Sequence, residues 1–414
     1  MRILFFSHYF PPEVNAPANR THDHCREWVR AGHEVHVVTC VPSHPRGIPF
    51  PGYKSCWYQR EMVNGIHVHR VWTYLASNQG KVLRIVNYLS FVPSAVFRGL
   101  GLGRFDVVMA TSPQFFCAVA GWLCSRLKRT PWIFELRDLW PESISAVGAI
   151  QRGVLTKALE RFELHLYRSA SAVVCLTESF VSNLRSRGID PAKLFFVPNG
   201  VDPGYWLEES DSREVVRRGL GIASEAVLVS YVGTIGMAHG LGTLIAAARE
   251  TKERRPDIRF AVVGDGAEKD AVESLVQKFG LANVCLTGLV ERDRARDILR
   301  ASDVTLVLLR KAGVFETVIP SKMLEAFAAG CPVVLGVGGE ARRILEAANA
   351  GIVIDPESTE QLMAAIERLA DRPEERLRLG ESGRRYVAAK FDRSIWARRL
   401  LERLQVEGAK GMAA

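Results

Sequence analysis

The chain has 414 residues, with 54 lysines and arginines against 45 acidic residues and a formal charge of +9. A hydrophobic fraction of 48% with 24% charged residues excludes a disordered or fibrous chain and is typical of a globular protein. This length allows two domains, since one domain commonly holds about 100 to 200 residues. The positive charge favours anionic partners such as nucleotides or acidic lipids.

The N-terminal sequence MRILFFSHYFPPE has too short an apolar run for a signal peptide and predicts a first β-strand. No stretch reaches the roughly 18 apolar residues of a membrane-spanning helix. The eight cysteines are scattered without a CxxC pair, which argues against a zinc or redox motif. These features predict a cytoplasmic protein with reduced thiols.

In the first half, short apolar runs alternate with helical stretches, as in a parallel sheet covered by helices. The predicted strands are RILFFS, EVHVVT, VVMAT, WIFEL, AVVCLT and LFFVPN, with IHVHRVW as an edge strand. His67 and His69 share one face of that edge strand, but the sequence indicates no third ligand, so we expect no metal site.

The stretch at residues 82–104 predicts basic amphipathic helical pieces, with Arg84, Arg98 and Arg104 among apolar residues and a break near Pro93. Residues 114–129 add a second apolar face that ends in basic residues. Such surfaces bind anionic membranes without spanning them. The alternative is that both apolar faces belong to the core.

After the loop PNGVDPGYW the pattern restarts with the strands VLVSYVG, RFAVVG, VCLTG, VTLVLL, PVVLGV and GIVI. We therefore predict an α/β protein with two doubly wound, Rossmann-like domains, at residues 1–200 and 201–385. The basic segment 386–414 is either a solvated helix or a helix that packs back on the first domain. Ligands bind beyond the carboxyl ends of such strands, so the expected site is a central cleft between the domains.

The stretch PSKMLEAFAAGCPVV, residues 320–334, predicts a helix with Ser321 as its N-cap and Lys322 in its first turn. A cation there is unfavourable by about 0.3 to 1 kcal/mol unless an anion binds. The helix amides and Lys322 can hold a phosphate, and Glu325, on the same face, can accept hydrogen bonds from a ribose. The alternative is a solvated lysine beside a glutamate.

Glycine-rich turns follow three predicted strands of the second domain. They include Gly233, Gly236, Gly240 and Gly242 after the first strand, Gly264 and Gly266 after the second, and Gly288 after the third. Together they predict a nucleotide cradle, although turn geometry alone can explain each glycine. Two histidines, His8 and His239, also fall in loops at these strand ends.

In the first domain, the segment WIFELRDLWPES ends a buried strand with Glu135, Arg137 and Asp138. Charged residues at this position either pair with each other or face the active cleft. The loop from Ser7 to Arg20 follows the first strand and is expected at the same edge.

Together these segments resemble the GT-B glycosyltransferases of family 4, a retaining group with many bacterial polysaccharide transferases. The resemblance extends along nearly the whole chain and includes YFPPE, AGHEVHVVT, ELRDLWPES, VPNGVD, YVGTIGMAHGL, VVGDGAE, ASDVTLVLL and PSKMLEAFAAGCPVV. The LRDLWP and PSK motifs are most similar to a branch with O-antigen and capsule sugar transferases, among them fucosamine transferases.

The resemblance implies an acceptor-binding first domain and a donor-binding second domain. The implied donor-binding residues are Gly233, Thr234, Gly236, His239, Gly264, Gly266, Val290, Glu316, Thr317, Ser321, Lys322 and Glu325. Catalytic roles are expected for Arg137, Asp138 and Lys322, and acceptor-side roles for Asn15, Asn19 and Arg20.

The chain departs from the family pattern at three places. Many members have a glutamate where this chain has Thr317, with Glu316 one residue earlier. Ile235 and His239 replace an arginine and lysine pair, which leaves Lys322 as the best phosphate cation, with Arg310 and Lys311 as neighbours. Many relatives also have a histidine where this chain has the Arg137 and Asp138 pair.

The expected function is retaining transfer of a sugar from a nucleotide-sugar donor to a lipid-linked or glycan acceptor in surface polysaccharide synthesis. The expected donor is UDP-linked, with an N-acetylated deoxyhexosamine. We expect no metal or other cofactor, and a location on the inner face of the cytoplasmic membrane. The alternatives are a nucleotide-sugar 2-epimerase and a non-catalytic nucleotide-sugar-binding subunit. A nucleic-acid partner is not expected, because no recognised aromatic and basic module is present.

Overall fold

The computed structural model describes residues 1–44, 46–76, 81–139, 154–208 and 211–413. Backbone contacts divide the chain into two units. The first unit comprises Met1–Asn199 and Arg393–Ala414, and the second comprises Gly200–Asp392. The sequence-based boundaries fall after residues 200 and 385.

The first unit contains an eight-stranded sheet in the order β3-β4-β2-β1-β5-β6-β7-β8. Its strands are β1 (Arg2–Phe6), β2 (Glu34–Cys40), β3 (Tyr58–Val63), β4 (Ile66–Val71), β5 (Val107–Thr111), β6 (Trp132–Leu136), β7 (Ala172–Cys175) and β8 (Leu194–Phe196). All neighbours are parallel except β3 and β4, which are antiparallel.

The expectation that IHVHRVW forms the edge strand is wrong, because β3 covers β4 and is itself the edge. The sequence of β3, YQREMV, alternates between exposed and half-buried residues and has no fully buried position. A strand without a buried face gives no apolar signal in the sequence, so it was missed.

The helices of the first unit that precede the second unit pack around this sheet. They are α1 (Ala16–Arg30), α2 (Lys81–Gly101), α3 (Phe115–Lys128), α4 (Val154–Ser169) and α5 (Glu178–Ser186). The apolar face of α3 is buried, with Ala118, Ala120 and Cys124 fully covered. For α3 the core alternative is therefore correct, since a covered face cannot enter a membrane.

The second unit contains a parallel sheet in the order β11-β10-β9-β12-β13-β14. Its strands are β9 (Val227–Val232), β10 (Ile258–Val263), β11 (Val284–Gly288), β12 (Val304–Leu308), β13 (Val333–Gly336) and β14 (Gly351–Val353). Its helices are α6 (Pro203–Leu207), α7 (Arg213–Gly219), α8 (Gly242–Arg254), α9 (Lys269–Lys278), α10 (Arg292–Ala301), α11 (Ser321–Ala329), α12 (Gly339–Ala348), α13 (Thr359–Asp371) and α14 (Pro373–Lys390).

The strand order of the second unit reverses between β9 and β12. The chain runs from β9 through β10 to β11 on one side and then returns to β12 on the other. In doubly wound sheets, such a reversal opens a crevice at the carboxyl ends of the two strands, where ligands bind. The turn after β9 and the segment between β12 and α11 therefore flank the expected ligand position.

The last helix, α15 (Arg393–Ala413), packs within the first unit. The indole Nε1 of Trp28 donates to the carbonyl of Ala397 at 2.9 Å. Leu400 and Leu404 are buried in the core that also contains Trp28. The end of the chain is thus part of the N-terminal unit, while α14 remains in the second.

The eight cysteines are all free thiols, six of them buried. Among the helices of the described ranges, none has both the length and the apolar composition needed to cross a bilayer.

Candidate functional site

The candidate donor site begins at the N-terminus of α11. The helix starts at Ser321, and Pro320 is the N-cap residue in an extended conformation, with φ −63° and ψ 121°. The prediction that Ser321 caps the helix is therefore wrong by one position. Proline suits this position because its fixed φ allows an extended entry into the first turn. Lys322 remains in that first turn, where the backbone amides carry partial positive charge.

The ammonium of Lys322 meets two side chains from the other side of the crevice. Its Nζ donates to Tyr231 Oη at 2.7 Å and lies 3.5 Å from His239 Nδ1. The same Nζ lies 4.2 Å from the centroid of the Tyr231 ring. Tyr231 Oη in turn donates to the carbonyl of Thr234 at 2.6 Å. We call Tyr231, His239 and Lys322 the lysine cluster.

Burial controls the protonation of the lysine cluster. It lowers the pKa of Lys322 to about 7, although the nearby carboxylate of Glu325 raises it in part. Burial also lowers the pKa of His239 to about 3, and the neighbouring Lys322 lowers it further. At neutral pH, His239 is therefore uncharged, and Lys322 is divided between its two forms. A bound anion would raise the lysine pKa again and hold the proton on Nζ.

The first glycine turn packs directly against Lys322. Gly233 has φ of 145°, and a Cβ at this position would lie 3.1 Å from Lys322 Nζ. The absence of a side chain at Gly233 thus lets the ammonium approach the backbone. Gly236 has only ordinary contacts, since its Cβ would lie 3.6 Å from the methyl group of Thr234.

Gly264 and Gly266 are explained by the packing of the two loops. A Cβ on Gly264 would lie 2.0 Å from the carbonyl oxygen of Gly233, and one on Gly266 would lie 2.3 Å from that of Ile235. The amide of Ile235 also donates to the carbonyl of Asp265 at 2.9 Å. The close packing of the two loops therefore explains why glycine is needed at Gly264 and Gly266. In a nucleotide site, these two glycines would position the Gly233 turn.

Four further predicted donor residues have local structural contacts. Thr317 Oγ1 donates to the carbonyl of Val314 at 2.8 Å and closes its own turn. The exposed residue Glu316 packs against Gly339, whose Cβ would lie 1.9 Å from the Glu316 carbonyl oxygen. Val290 is half-buried against a core cluster, and Thr234 is exposed.

The neighbouring basic residues of the preceding loop have other contacts. Arg310 Nη2 donates to Glu268 Oε1 at 2.9 Å. The backbone amide of Lys311 donates to Glu357 Oε2 at 3.0 Å. Among the described residues, the Lys322 ammonium lies against Gly233, whereas the Arg310 side chain lies against Gly240, whose Cβ would be 3.5 Å from Arg310 Cγ.

In the first unit, Arg20 and Glu135 form a buried ion pair, with Nε to Oε1 at 2.9 Å. Arg20 also donates to the carbonyls of Val197 and Pro198 at 2.9 and 2.6 Å. The guanidinium is thus used to hold the segment that leaves β8. These contacts give Arg20 a structural role within the unit, and its acceptor-side role stays a prediction.

Arg137 and Asp138 lie at the carboxyl end of β6. Arg137 Nη1 lies 4.0 Å from Glu135 Oε2, which is too long for a hydrogen bond. Within the described residues, this buried Nη1 has no hydrogen-bond partner. Burial lowers the pKa of Arg137 to about 10, against the effect of Glu135, and raises that of Asp138 to about 6, against the effect of Arg137. The rest of the predicted motif, from Trp140 to Ser143, lies outside the described residues.

The loop residues of the first unit have mixed roles. Asn15 is the N-cap of α1, and its side chain accepts from the amide of Ala18 at 2.9 Å. Asn19 is half-buried in the first turns of the same helix. His8 Nε2 lies 3.1 Å from Asn87 Oδ1, and burial lowers the pKa of His8 to about 4. The capping contact gives Asn15 a structural role, whereas Asn19 remains a candidate.

Tyr231 was not among the residues predicted from the sequence. This residue lies in β9, two positions before Gly233, and meets Lys322 across 91 residues of chain. A buried aromatic residue in a strand is ordinarily read as core. The only local signal was a hydroxyl group placed two residues before a glycine turn.

Two family models match the chain. Residues 15–200 match the model described as a glycosyl transferase 4-like domain, and residues 212–386 match the model of glycosyl transferases group 1. The putative colanic acid biosynthesis glycosyl transferase WcaI of Escherichia coli K12 is 26% identical over 379 residues. The aligned part covers 88% of this chain and 91% of that relative.

Solved structures with the same fold cover almost the whole chain. Sucrose-phosphate synthase from Thermosynechococcus elongatus superposes with a TM-score of 0.77 at 18% identity, covering 99% of both chains. HepE of Anabaena, in complex with UDP and glucose, has a TM-score of 0.73 at 18% identity and covers 98% of this chain and 99% of its own. At these identities the likeness establishes a common fold.

Proposed function

Since this chain belongs to the GT-B glycosyltransferases of family 4, we propose that it moves a sugar from a nucleotide-sugar donor to a lipid-linked or glycan acceptor. The observation that carries the proposal is the lysine cluster against the Gly233 turn, at the strand-order reversal of the second unit. A half-buried ammonium beside helix amides is suited to a diphosphate.

The proposed chemistry follows from the leaving group. As the glycosyl bond breaks, negative charge grows on the nucleoside diphosphate. The α11 amides and the Lys322 ammonium would stabilise that charge, and such preorganised groups lower the barrier. Since Lys322 supplies the positive charge, we propose transfer that needs no metal ion.

The two side chains beside Lys322 would orient its ammonium. Tyr231 accepts one of its protons, and the uncharged His239 can accept another at longer range. The third proton of Nζ would then point to the phosphate. Glu325, one turn further along α11, is proposed to accept hydrogen bonds from the ribose hydroxyls.

Arg137 and Asp138 are proposed to act on the sugar and the acceptor. The buried Arg137 Nη1 is a donor that a ligand oxygen could satisfy, since buried donors ordinarily have partners. The carboxyl group of Asp138 would ionise near neutral pH, where its charge could stabilise an oxocarbenium-like transition state.

For the donor we propose a UDP-linked sugar, with an N-acetylated deoxyhexosamine as the first choice. The UDP complex of HepE supports the nucleotide, and the colanic acid assignment of WcaI supports a role in surface polysaccharide synthesis. The sugar and the retaining stereochemistry rest on the family resemblance. Comparing the anomeric configuration of donor and product would test the latter.

Helix α2 is the proposed membrane contact on the inner face of the cytoplasmic membrane. Val86, Leu89, Phe97 and Leu100 recur at helical spacing, and each is exposed, Phe97 by 83%. Such a row lies on one side of the helix and can enter a lipid interface. Arg98 is less suited to lipid than predicted, because its guanidinium lies over the Tyr58 ring, 3.9 Å from its centroid.

The decisive experiment incubates the purified chain with UDP- and GDP-sugars and a bacterial lipid extract. We expect release of nucleoside diphosphate that depends on the extract. An epimerase would interconvert the donor without acceptor-dependent release, and a non-catalytic subunit would bind the donor without turnover. Either result would overturn transfer as the function.

A further inference from the structure

A cluster of histidines lies at the amino-terminal edge of the first unit's sheet, on the strands β2 and β4. The parallel register places His36 directly beside His67. Glu34 precedes His36 by two residues and so shares its face of the strand. One ligand atom from each of Glu34, His36 and His67 lies within 4.8 Å of the others.

The contacts within this cluster form an ordered array. His36 Nε2 lies 2.8 Å from Glu34 Oε1, and the rings of His36 and His67 stack with centroids 4.5 Å apart. On its other side, His36 Nδ1 lies 2.9 Å from His69 Nε2, and His69 Nδ1 lies 3.0 Å from Tyr58 Oη.

From this geometry we propose that Glu34, His36 and His67 form a binding site for a transition-metal dication, with Zn²⁺ as the best match. Two imidazoles and a carboxylate are a common protein ligand set for zinc, with water in the fourth position. No third ligand was apparent from the sequence, because two of the three ligands, Glu34 and His36, come from a strand about thirty positions before His67.

The outer contacts suit this site. A histidine bound to metal through Nε2 ordinarily donates its Nδ1 proton to a neighbouring acceptor, which fixes the ring. His69 Nε2 is placed to accept from His36 Nδ1, and Tyr58 Oη is placed to accept in turn from His69 Nδ1. Metal binding would thus reverse the direction of this hydrogen-bonded chain without moving its members.

Binding requires two local rearrangements. Tetrahedral zinc with bonds of about 2.0 to 2.1 Å separates its ligand atoms by about 3.3 Å, so the half-buried His67 ring must swing inwards. Arg2 presently binds both oxygens of Glu34, at 2.9 and 3.0 Å, and Arg60 Nη2 lies 3.1 Å from His67 Nδ1. Both arginines compete with a cation, so we expect micromolar rather than tighter affinity.

The position of this site separates it from the residues proposed to act in transfer. Glu34 and His36 lie at the start of β2, whereas the candidate residues Arg137 and Asp138 follow the end of β6. Parallel strands place these positions at opposite edges of the sheet. A metal here would join β2 to β4 without touching the reacting groups, which is compatible with metal-independent transfer.

Calorimetry with zinc sulfate on the full chain, freed of metal by a chelator, tests the proposal. We expect one zinc ion per chain, and affinity at least tenfold weaker in His67→Gln and in Glu34→Gln. His33→Gln is the matched control, because His33 lies at the same edge but outside the ligand set. The zinc affinity of this variant should stay within twofold of the wild-type value. Zinc should also raise the thermal midpoint of the wild-type chain by mass action.

Two results would overturn the site. One is the lack of stoichiometric zinc binding by the wild type at free zinc concentrations up to about 100 times a micromolar dissociation constant. The other is equal zinc affinity in His67→Gln and wild type, which would assign the ion to other groups, such as the thiols. Thermal midpoints measured in chelator establish that both variants are folded before their affinities are compared.

Discussion

The protonation of Lys322 predicts how donor affinity depends on pH. With its pKa lowered to about 7 in the unliganded chain, Lys322 is mostly charged at pH 6 and mostly neutral at pH 8.5. A bound diphosphate favours the charged form and raises the pKa. The affinity that Lys322 supplies is therefore almost fully present at pH 6 and below, and is lost as the pH rises through and above the pKa of the free form.

The expected size of the effect follows from that pKa. The charged fraction falls from about nine-tenths at pH 6 to about 3% at pH 8.5, so the dissociation constant should rise about 30-fold. That ratio corresponds to about 2 kcal/mol, at 1.36 kcal/mol for each tenfold change. The figure holds if the pKa in the complex lies well above 8.5, as expected for a lysine near its ordinary value of about 10.4.

The assay is calorimetry with an intact nucleotide sugar, because its diphosphate diester has no proton to lose in this range. The control is Lys322→Arg, whose guanidinium stays charged throughout and should give a flat profile. Lys322→Ala should also be flat, with affinity weaker by about 1.5 to 3 kcal/mol at pH 6. A wild-type affinity that does not change between pH 6 and 8.5 would refute the assignment of Lys322 to the phosphate.

Three further predictions concern the ribose, the metal ion and the membrane. Glu325→Gln should weaken donor binding by about 1.5 to 3 kcal/mol, and the loss should shrink with a 2′-deoxyribose donor; equal losses in calorimetry would exclude the ribose contact. Transfer should continue in excess chelator, since Lys322 supplies the cation, and a complete loss restored by magnesium would contradict this. In flotation with anionic liposomes, Leu89→Glu with Phe97→Glu should reduce binding several-fold, whereas Leu377→Glu, also exposed but in the second unit, should not. Equal flotation of these variants would rule out α2 as the contact.

The sequence predicted the two sheets well because buried parallel strands have continuous apolar runs. The first strand of each unit, RILFF and VLVSYV, is almost entirely buried and could be recognised without any long-range information. The edge strand β3 was missed because neither of its faces is fully buried, so its sequence has no apolar pattern. Apolar patterns in a sequence indicate buried strands reliably, whereas a strand without a buried face has no such pattern.

The candidate site was only partly predictable, because its contacts join distant segments. Lys322 was marked by its unusual position in a helix, a local feature. Its partner Tyr231 was not, since the two meet only when β9 and α11 come together. The ion pair of Arg20 was not predicted for the same reason, because its partner Glu135 is 115 positions away and nothing near Arg20 indicates it.

Burial of charge has opposite consequences in the two units, and this separates a structural ion pair from a binding group. Burial alone would raise the pKa of Glu135, but Arg20 and Arg137 overcome it and lower the pKa to about 2. Glu135 therefore stays ionised without a ligand, because its ion pair with Arg20 stabilises the carboxylate. For Lys322, burial outweighs the opposing effect of Glu325, and the ammonium becomes easy to deprotonate. A cation in that condition gains most from an arriving anion, so the second unit, rather than the more heavily charged array in the first, is where a diphosphate should bind.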